Sequence, residues 1–376
     1  MAPPSTRGGR GRTARGGRRL RVTIGILVGL AVLVGLNAFV LDRETGKARV
    51  NVPGAELVDT TSGPLQVLDT GRPAGSPDAA SLVLIHGTGG AINWWDEVIP
   101  ELSRKRRVIA LDLLGYGGSA KPDSGYSIES QAGLVAQVLN RLGVSRAIAV
   151  GHSLGGSVAT ALAGDSPALV AGVVLIDSSP TRASGGPGFT ANAARVPVIG
   201  PLLWRLAPDT VLRRGLSRAF APGAGVPDPF VADLRAMTYP AYRDSASAGD
   251  RYTDSGSLPT RLQAAGVPLL VIFGAEDRMY PARESLSAYA GVPGVKTALV
   301  ADAGHSPQVE QPARTAAEIL GFAARIDAAD AARTRRAELR RRQRATKARQ
   351  AKARAHARKS RGKKTRAAGD RGRDAG

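Results

Sequence analysis

From about Ala48 to Arg325, short apolar runs alternate with stretches in which apolar positions recur at helical spacing. Ser81–His86, Arg107–Leu111, Ala147–Gly151, Val170–Ile176, Pro268–Phe273 and Val295–Val300 read as strands. They are short, rich in branched side chains and lack polar alternation, as strands covered on both faces should be. Tyr126–Leu142, Leu154–Asp165 and Pro307–Ile326 carry helical spacing. A Gly63-Pro64 turn separates two extended pieces within Leu57–Leu68, which predicts an antiparallel edge hairpin. The pattern predicts one α/β domain over 48–326, with a mostly parallel sheet and helices on both faces.

One segment breaks the alternation. About 80 residues, Ser178–Thr260, precede the penultimate strand and contain apolar stretches at Val196–Pro208 and Val231–Tyr242. A structureless loop of that length inside a compact domain is unusual, so a small helical cap is expected there. Trp204, Leu202, Leu203, Phe220, Met237 and Tyr239 are candidates to line an apolar pocket beneath it or to pack it onto the body.

At the other end, Val22–Leu41 is 20 residues without a charge. As a helix it spans about 30 Å, the thickness of a bilayer's hydrocarbon. It is expected to be an uncleaved transmembrane signal anchor. The alternative is a secreted protein after signal cleavage at Ala38, for which Leu36 is a poor residue at the −3 position. Arg18, Arg19 and Arg21 at its edge are expected to keep 1–21 in the cytoplasm and the α/β domain outside it, giving a single-pass cell-membrane protein; Asp42, Arg43 and Glu44 nearly cancel on the far flank. Gly25 and Gly29 form a GxxxG pair, a weak signal for helix pairing.

Charge sharpens this division. The net +21 sits in two tails: residues 1–21 hold seven Arg and no acid, and 333–376 hold 19 Lys and Arg against three acids. The intervening 22–332 carry 26 bases and 28 acids. The 328–376 tail has little large apolar content beyond Leu339 and is expected to be disordered, with a helical stretch at its start over Ala328–Lys352. Outside the membrane it suits anionic lipid headgroups or acidic wall polymers, or remains a solvated tail without a partner. Nucleic acid is disfavoured, because no aromatics interleave the charges to stack on bases. The chain has no Cys, which excludes disulfides, thiol catalysis and cysteine-ligated metals.

The chemistry centres on Gly151-His152-Ser153-Leu154-Gly155, directly after a strand and directly before a helix. A turn this tight tolerates no bulk two positions before and after the serine, whose side chain then projects above the sheet. A serine hydroxyl needs a base, and the base an orienting acid. Of four histidines, His356 lies in the charged tail, His152 adjoins the serine, and His86 heads the HGTGG turn in a structural position. His305, on the loop after the last strand, remains as the base. Asp277, after the penultimate strand, is the best-placed acid, with Glu276 and Asp177 as alternatives. The backbone N–H groups of Leu154 and Thr88 are the candidate oxyanion donors. The glycine-rich turn Asp112–Ser119 reads as structural.

Taken together, HGTGG, DLLGYGGS, GHSLGG, GAED and AGH, in that order, resemble the α/β-hydrolase superfamily over residues 48–326, nearest its capped, serine-nucleophile branch. The branches that open epoxides or remove halides use an aspartate nucleophile, against which Ser153 argues. The resemblance implies acyl transfer to Ser153 and release by water, with no cofactor and no metal. The first expectation is hydrolysis of a small carboxylic ester with an apolar portion. A carbon–carbon bond hydrolase or cofactor-free haloperoxidase-like enzyme on the same triad is the second, and a non-catalytic ligand-binding homologue the third.

Overall fold

The computed structural model describes residues 12–74, 79–182 and 200–370. The chain divides into two compact units, Met1–Ala323 and Ala324–Gly376.

Eight strands form one sheet in the first unit: β1 (Ala55–Val58), β2 (Leu65–Asp69), β3 (Ser81–Ile85), β4 (Val108–Leu111), β5 (Ala147–His152), β6 (Val170–Ile176), β7 (Leu269–Gly274) and β8 (Lys296–Val300). Their order is β1-β2-β4-β3-β5-β6-β7-β8. The β1–β2 and β2–β4 pairs are antiparallel and all others are parallel. The expected edge hairpin is therefore present, with its second strand joining β4. Strands β3, β4, β5 and β7 are buried along their whole length, which accounts for their uninterrupted apolar sequence. The HGTGG, GHSLGG, GAED and AGH sequences lie at the carboxyl ends of β3, β5, β7 and β8, the end of a parallel sheet where a crevice forms.

Helix Ile128–Arg141 begins at Ser127, whose side chain accepts from the Ser130 N–H. Its buried Ile128, Ala132, Leu134, Val135, Val138 and Leu139 form the stripe that packs into the core, beside helix Leu154–Asp165. Helix Leu154–Asp165 is apolar all round and buried. Among the described residues the cap comprises helices Gly200–Leu206, Asp209–Leu216, Asp228–Arg235 and Tyr239–Asp254; residues 183–199 of the expected segment lie outside them. Helix Leu258–Ala265 packs against Leu154–Asp165, so the chain returns to the body by Leu258. Most of the cap aromatics hold it in place. Trp204 stacks on Tyr242 at 4.0 Å, and Phe220 and Phe230 cluster with Trp94 of the body. Leu202 and Leu203, also candidates for the pocket, lie outside the described side chains.

The N-terminal helix runs Arg12–Thr45, and the most apolar 18-residue stretch within its Leu20–Thr45 segment has a mean hydropathy of 2.6 with none of it buried. Residues 1–11 of the basic N-terminus lie outside the described residues.

The C-terminal expectation needs correcting in two places. The Pro307–Ile326 pattern is interrupted: a short helix Pro307–Glu310 is followed by a second helix starting at Pro312, because Pro312 has no N–H to continue the first. That second helix continues to Asp370, so the described part of the expected disordered tail is helical. Its Ala, Arg, Lys, Gln and Glu are strong helix formers, and no proline interrupts them. Within the second unit Leu339 is exposed, in keeping with a helix formed by local propensity.

Candidate active site

Ser153 sits at φ 52, ψ −117 between β5 and the helix Leu154–Asp165, a conformation that L-residues other than glycine rarely adopt. The turn is held by the Ser153 N–H donating to Ile176 O at 2.9 Å and by Ser178 Oγ donating to Ser153 O at 3.0 Å. The flanking glycines are required by close backbone approach. A Cβ on Gly151 would lie 2.2 Å from Gly155 O, and one on Gly155 would lie 2.2 Å from Ile85 O. This is the physical content of the G-x-S-x-G pattern.

His305 and Asp277 meet as expected. His305 Nδ1 lies 2.8 Å from Asp277 Oδ2, and the two side chains are 2% and 0% exposed. Asp277 Oδ1 accepts from the N–H groups of Met279 at 2.6 Å and Tyr280 at 3.1 Å. Burial alone would raise this carboxyl, but the neighbouring His305 and these two donors hold it below the usual aspartate value. His305 Nε2 is buried without a hydrogen-bond partner among the described residues, so the one nitrogen left for a serine proton is unengaged. Glu276, the adjacent alternative acid, is exposed.

Two further groups link Ser153 to His305. His152 Nε2 lies 2.6 Å from His305 O, tying the serine turn to the histidine loop. A carbonyl can only accept, so Nε2 carries the hydrogen. Burial, reinforced by the neighbouring His305, pushes His152 down to about 3 and keeps it neutral. Tyr280 was not singled out by its sequence context, since an aromatic on a loop has no distinguishing pattern. Its ring stands edge-on to His305 at 5.1 Å. Burial pushes its hydroxyl up to about 12, and the Ser153 hydroxyl beside it acts in the opposite direction. With its N–H on Asp277, Tyr280 thus adjoins Ser153, His305 and Asp277.

The HGTGG loop passes directly against Ser153: a Cβ on Gly87 would stand 3.0 Å from Ser153 Cβ. This puts Thr88 next to the serine turn, and the Leu154 N–H lies in the first turn of its helix, where backbone donors have no intrahelical acceptor. His86 is structural, its Nε2 accepting from the Leu113 N–H at 3.0 Å. Asp112 anchors the glycine-rich turn by accepting from the N–H groups of Ile92 at 2.8 Å and Gly118 at 2.7 Å.

The cap closes over these loops. A Cβ on Gly89 would meet Leu234 Cδ1 at 3.0 Å, and one on Gly249 would meet Leu154 Cδ1 at 2.9 Å. Trp94 stacks on Phe230 at 4.4 Å and donates from Nε1 to Asp233 Oδ2 at 3.2 Å. Leu234 of the cap thus packs on the HGTGG loop, and Leu154, next to the serine, packs on helix Tyr239–Asp254. A separate hollow of about 280 Å³, lined by residues including Tyr252 and Arg261, contains none of the site residues.

Among the described residues, Asp177, Asp277 and His305 are the one grouping whose ligand atoms converge closely enough to hold a metal, all within 4.8 Å of one another. His305 Nδ1 and Asp277 Oδ2 lie at hydrogen-bonding distance, 2.8 Å.

A family model of the alpha/beta hydrolase family matches residues 82–318. The chain is 32% identical over 260 residues to 2-hydroxymuconate semialdehyde hydrolase of Pseudomonas sp. (strain CF600), covering 66% of this chain and 88% of that protein. Its fold is shared by a thermophilic esterase from Thermogutta terrifontis, at TM-score 0.61 and 24% identity over 72% of this chain and 98% of the esterase. It is also shared by a membrane phospholipase A, at TM-score 0.60 and 23% identity over 84% of this chain and 99% of the other. The family match, the sequence relationship and the shared architecture agree: this chain belongs to the alpha/beta hydrolase family.

Proposed function

We propose that the chain is a serine hydrolase in which Ser153 is the nucleophile, His305 the general base and Asp277 the acid that orients the histidine. The observation that carries this reading is the buried Asp277–His305 pair, whose Nε2 is left free beside the strained Ser153 turn. In the reaction, His305 takes the Ser153 proton as Oγ attacks an acyl carbon, and the N–H groups of Leu154 and Thr88 stabilise the oxyanion. The leaving group takes the proton from His305, and water then releases the acyl group by the same route.

The substrate proposed is a small carboxylic ester with an apolar portion, in keeping with the apolar Leu154 next to the serine and Leu234 against the HGTGG loop. Cleavage of a carbon–carbon bond next to a carbonyl is a second reading. It is favoured by the 32% identity to 2-hydroxymuconate semialdehyde hydrolase.

The same proposal places the enzyme on the cell membrane, anchored by residues 22–41, with its catalytic domain outside the cytoplasm. Support comes from the unburied apolar Leu20–Thr45 helix. The end of that helix is tied to the cap, Asp42 pairing with Arg205 at 2.5 Å and accepting from the Tyr239 N–H at 3.0 Å. The basic tail would face anionic lipid or wall polymer.

A fluorophosphonate probe should label the wild-type protein at Ser153 and fail on Ser153→Ala. A panel of p-nitrophenyl esters with graded acyl chains, run beside a vinylogous 1,5-diketone, distinguishes ester from carbon–carbon cleavage. Ser153→Ala and His305→Ala should each lose nearly all turnover, and Asp277→Asn should retain more. Full activity in either of the first two would end the proposal.

A further inference from the structure

A second acid lies against the Asp277–His305 pair. Asp177 follows the end of β6, donates its N–H to Ile272 O at 2.9 Å and accepts the Gly274 N–H on Oδ1 at 3.0 Å. Its side chain is thereby tied to the root of the loop that carries Asp277. It is fully buried at φ 43, and its Oδ2 has no hydrogen-bond partner among the described residues. A carboxyl oxygen of Asp177, one of Asp277 and a ring nitrogen of His305 all lie within 4.8 Å of one another.

Two carboxylates this close and this well sealed from water do not both ionise. Asp277 has His305 and two backbone donors to favour its charged form, whereas Asp177 has one backbone donor. The charged or titratable groups around Asp177 are Asp277 and Tyr280 on the loop after β7, His305 on the loop after β8 and Glu310 on the short helix Pro307–Glu310. Burial first, and the charge of Asp277 second, push Asp177 well above the ordinary carboxylate range. Of the two, Asp277 is the one whose surroundings favour the charged form, and Asp177 is the one pushed towards keeping its proton.

The acyl-transfer chemistry makes no use of a second acid, and a fully buried, under-satisfied carboxyl is costly to keep. We propose that Asp177 is a positioning residue for this site: it steadies Asp277 beneath His305, and its carboxyl takes over the Nδ1–H of His305 when the Asp277 side chain is removed. The inference rests on the serine-hydrolase reading given above.

The test uses the full-length protein in detergent micelles, with Ser153→Ala, His305→Ala, Asp177→Asn, Asp277→Ala and the Asp177→Asn/Asp277→Ala double variant. Turnover of p-nitrophenyl butyrate and the rate of fluorophosphonate labelling are read in parallel. Asp177→Asn preserves shape and a hydrogen-bond donor, so it should cost less than about 5-fold. Asp277→Ala should lose roughly 10- to 100-fold, and the double variant should fall to the His305→Ala level, on the order of 10⁴-fold. The loss in the double variant must exceed the product of the single losses. In Asp277→Ala the acid limb of the pH–rate profile should move to higher pH, because Asp177 must now ionise to serve His305.

Asp277→Ala as inactive as His305→Ala, or a double variant equal to the product of the singles, would overturn the role of Asp177 while leaving the serine reading intact. Turnover that survives Ser153→Ala would instead remove the serine reading and the inference with it. Asp277→Ser repeats the measurement if the alanine variant does not fold.

Discussion

His152 Nε2 meets the carbonyl oxygen of His305 at 2.6 Å, so the residue beside the serine fixes the backbone of the proposed base. The contact spans 153 positions of chain and joins two loops from different strands. Truncating His152 to Ala leaves that buried carbonyl without its donor, at a cost of about 1–3 kcal/mol. The expected result is a kcat lower by roughly 10- to 100-fold, with KM changed little, since the loss is in placing the base rather than in binding. His152 stays neutral at any working pH, its own titration being pushed down to about 3. The pH–rate profile of His152→Ala should therefore keep the wild-type shape. A displaced acid limb would show that His152 itself exchanges protons in the reaction.

Tyr280 separates a packing role from a polar one. Its ring supports His305 edge-on at 5.1 Å, and its hydroxyl lies beside Ser153. Tyr280→Phe keeps the ring, so kcat should fall by less than about 10-fold. Tyr280→Ala opens a cavity against His305 and should cost about 100-fold, the larger effect expected when a supporting side chain is lost from a preorganised site. Steady-state rates normalised by fluorophosphonate titration of active sites make the comparison. Equal losses in the two variants would assign the effect to the hydroxyl instead.

Much of the sheet was legible because it is buried on both faces: Leu82–Ile85 and Leu269–Phe273 have no polar position to obscure them. The Ser153 turn was legible because steric demand at Gly151 and Gly155 leaves a mark in sequence, and Asp277 and His305 followed from chain order. What the sequence hid depends on three-dimensional approach. Asp177 could be ranked only as an alternative acid, since its proximity to Asp277 arises from the pairing of β6 with β7. Tyr280 has no periodicity or spacing that marks it. The tail lacks the apolar residues of a core, which predicts no packed structure, yet its composition favours helix without one.

The loop that carries His305 should be intolerant of even one added methyl group. A Cβ on Gly304 would stand 2.3 Å from Ala221 N and 2.4 Å from the Phe220 carbonyl carbon, and neither backbone atom can swing aside as a side chain does. Glu310 clasps the same place, accepting from the N–H of Ala221 at 2.6 Å on one oxygen and from that of Gly304 at 2.8 Å on the other. Gly304→Ala should therefore force the cap segment and the histidine loop apart, losing about 100-fold in kcat with a lower melting temperature. Gly164→Ala is the control. It lies in a helix with nothing within 4 Å of the added carbon, so it should leave activity unchanged and stability equal or higher.

Asp233 gives the cap a measurable dependence on pH. It lies on helix Asp228–Arg235, accepts from Trp94 Nε1 at 3.2 Å, and is pushed up to about 7, first by burial. Its folded pKa is above the ordinary value of 3.8, so between about pH 4 and 7 the folded chain keeps a proton that the unfolded chain has released. Stability contributed by this group is thus fully present at the acid end of that window and is lost as pH rises through it. Above about pH 7 both states are ionised and the slope vanishes. Because Asp233 keeps some contact with solvent, the loss is discounted to about 1–2 kcal/mol, or roughly 2–8 °C in melting temperature. Asp233→Asn keeps an oxygen for Trp94 but cannot ionise. Melting curves taken from pH 5 to pH 8 should therefore fall less steeply for the variant than for the wild type, with the other titrating groups common to both. Parallel curves would mean that Asp233 ionises in the folded protein as freely as it does in the unfolded chain.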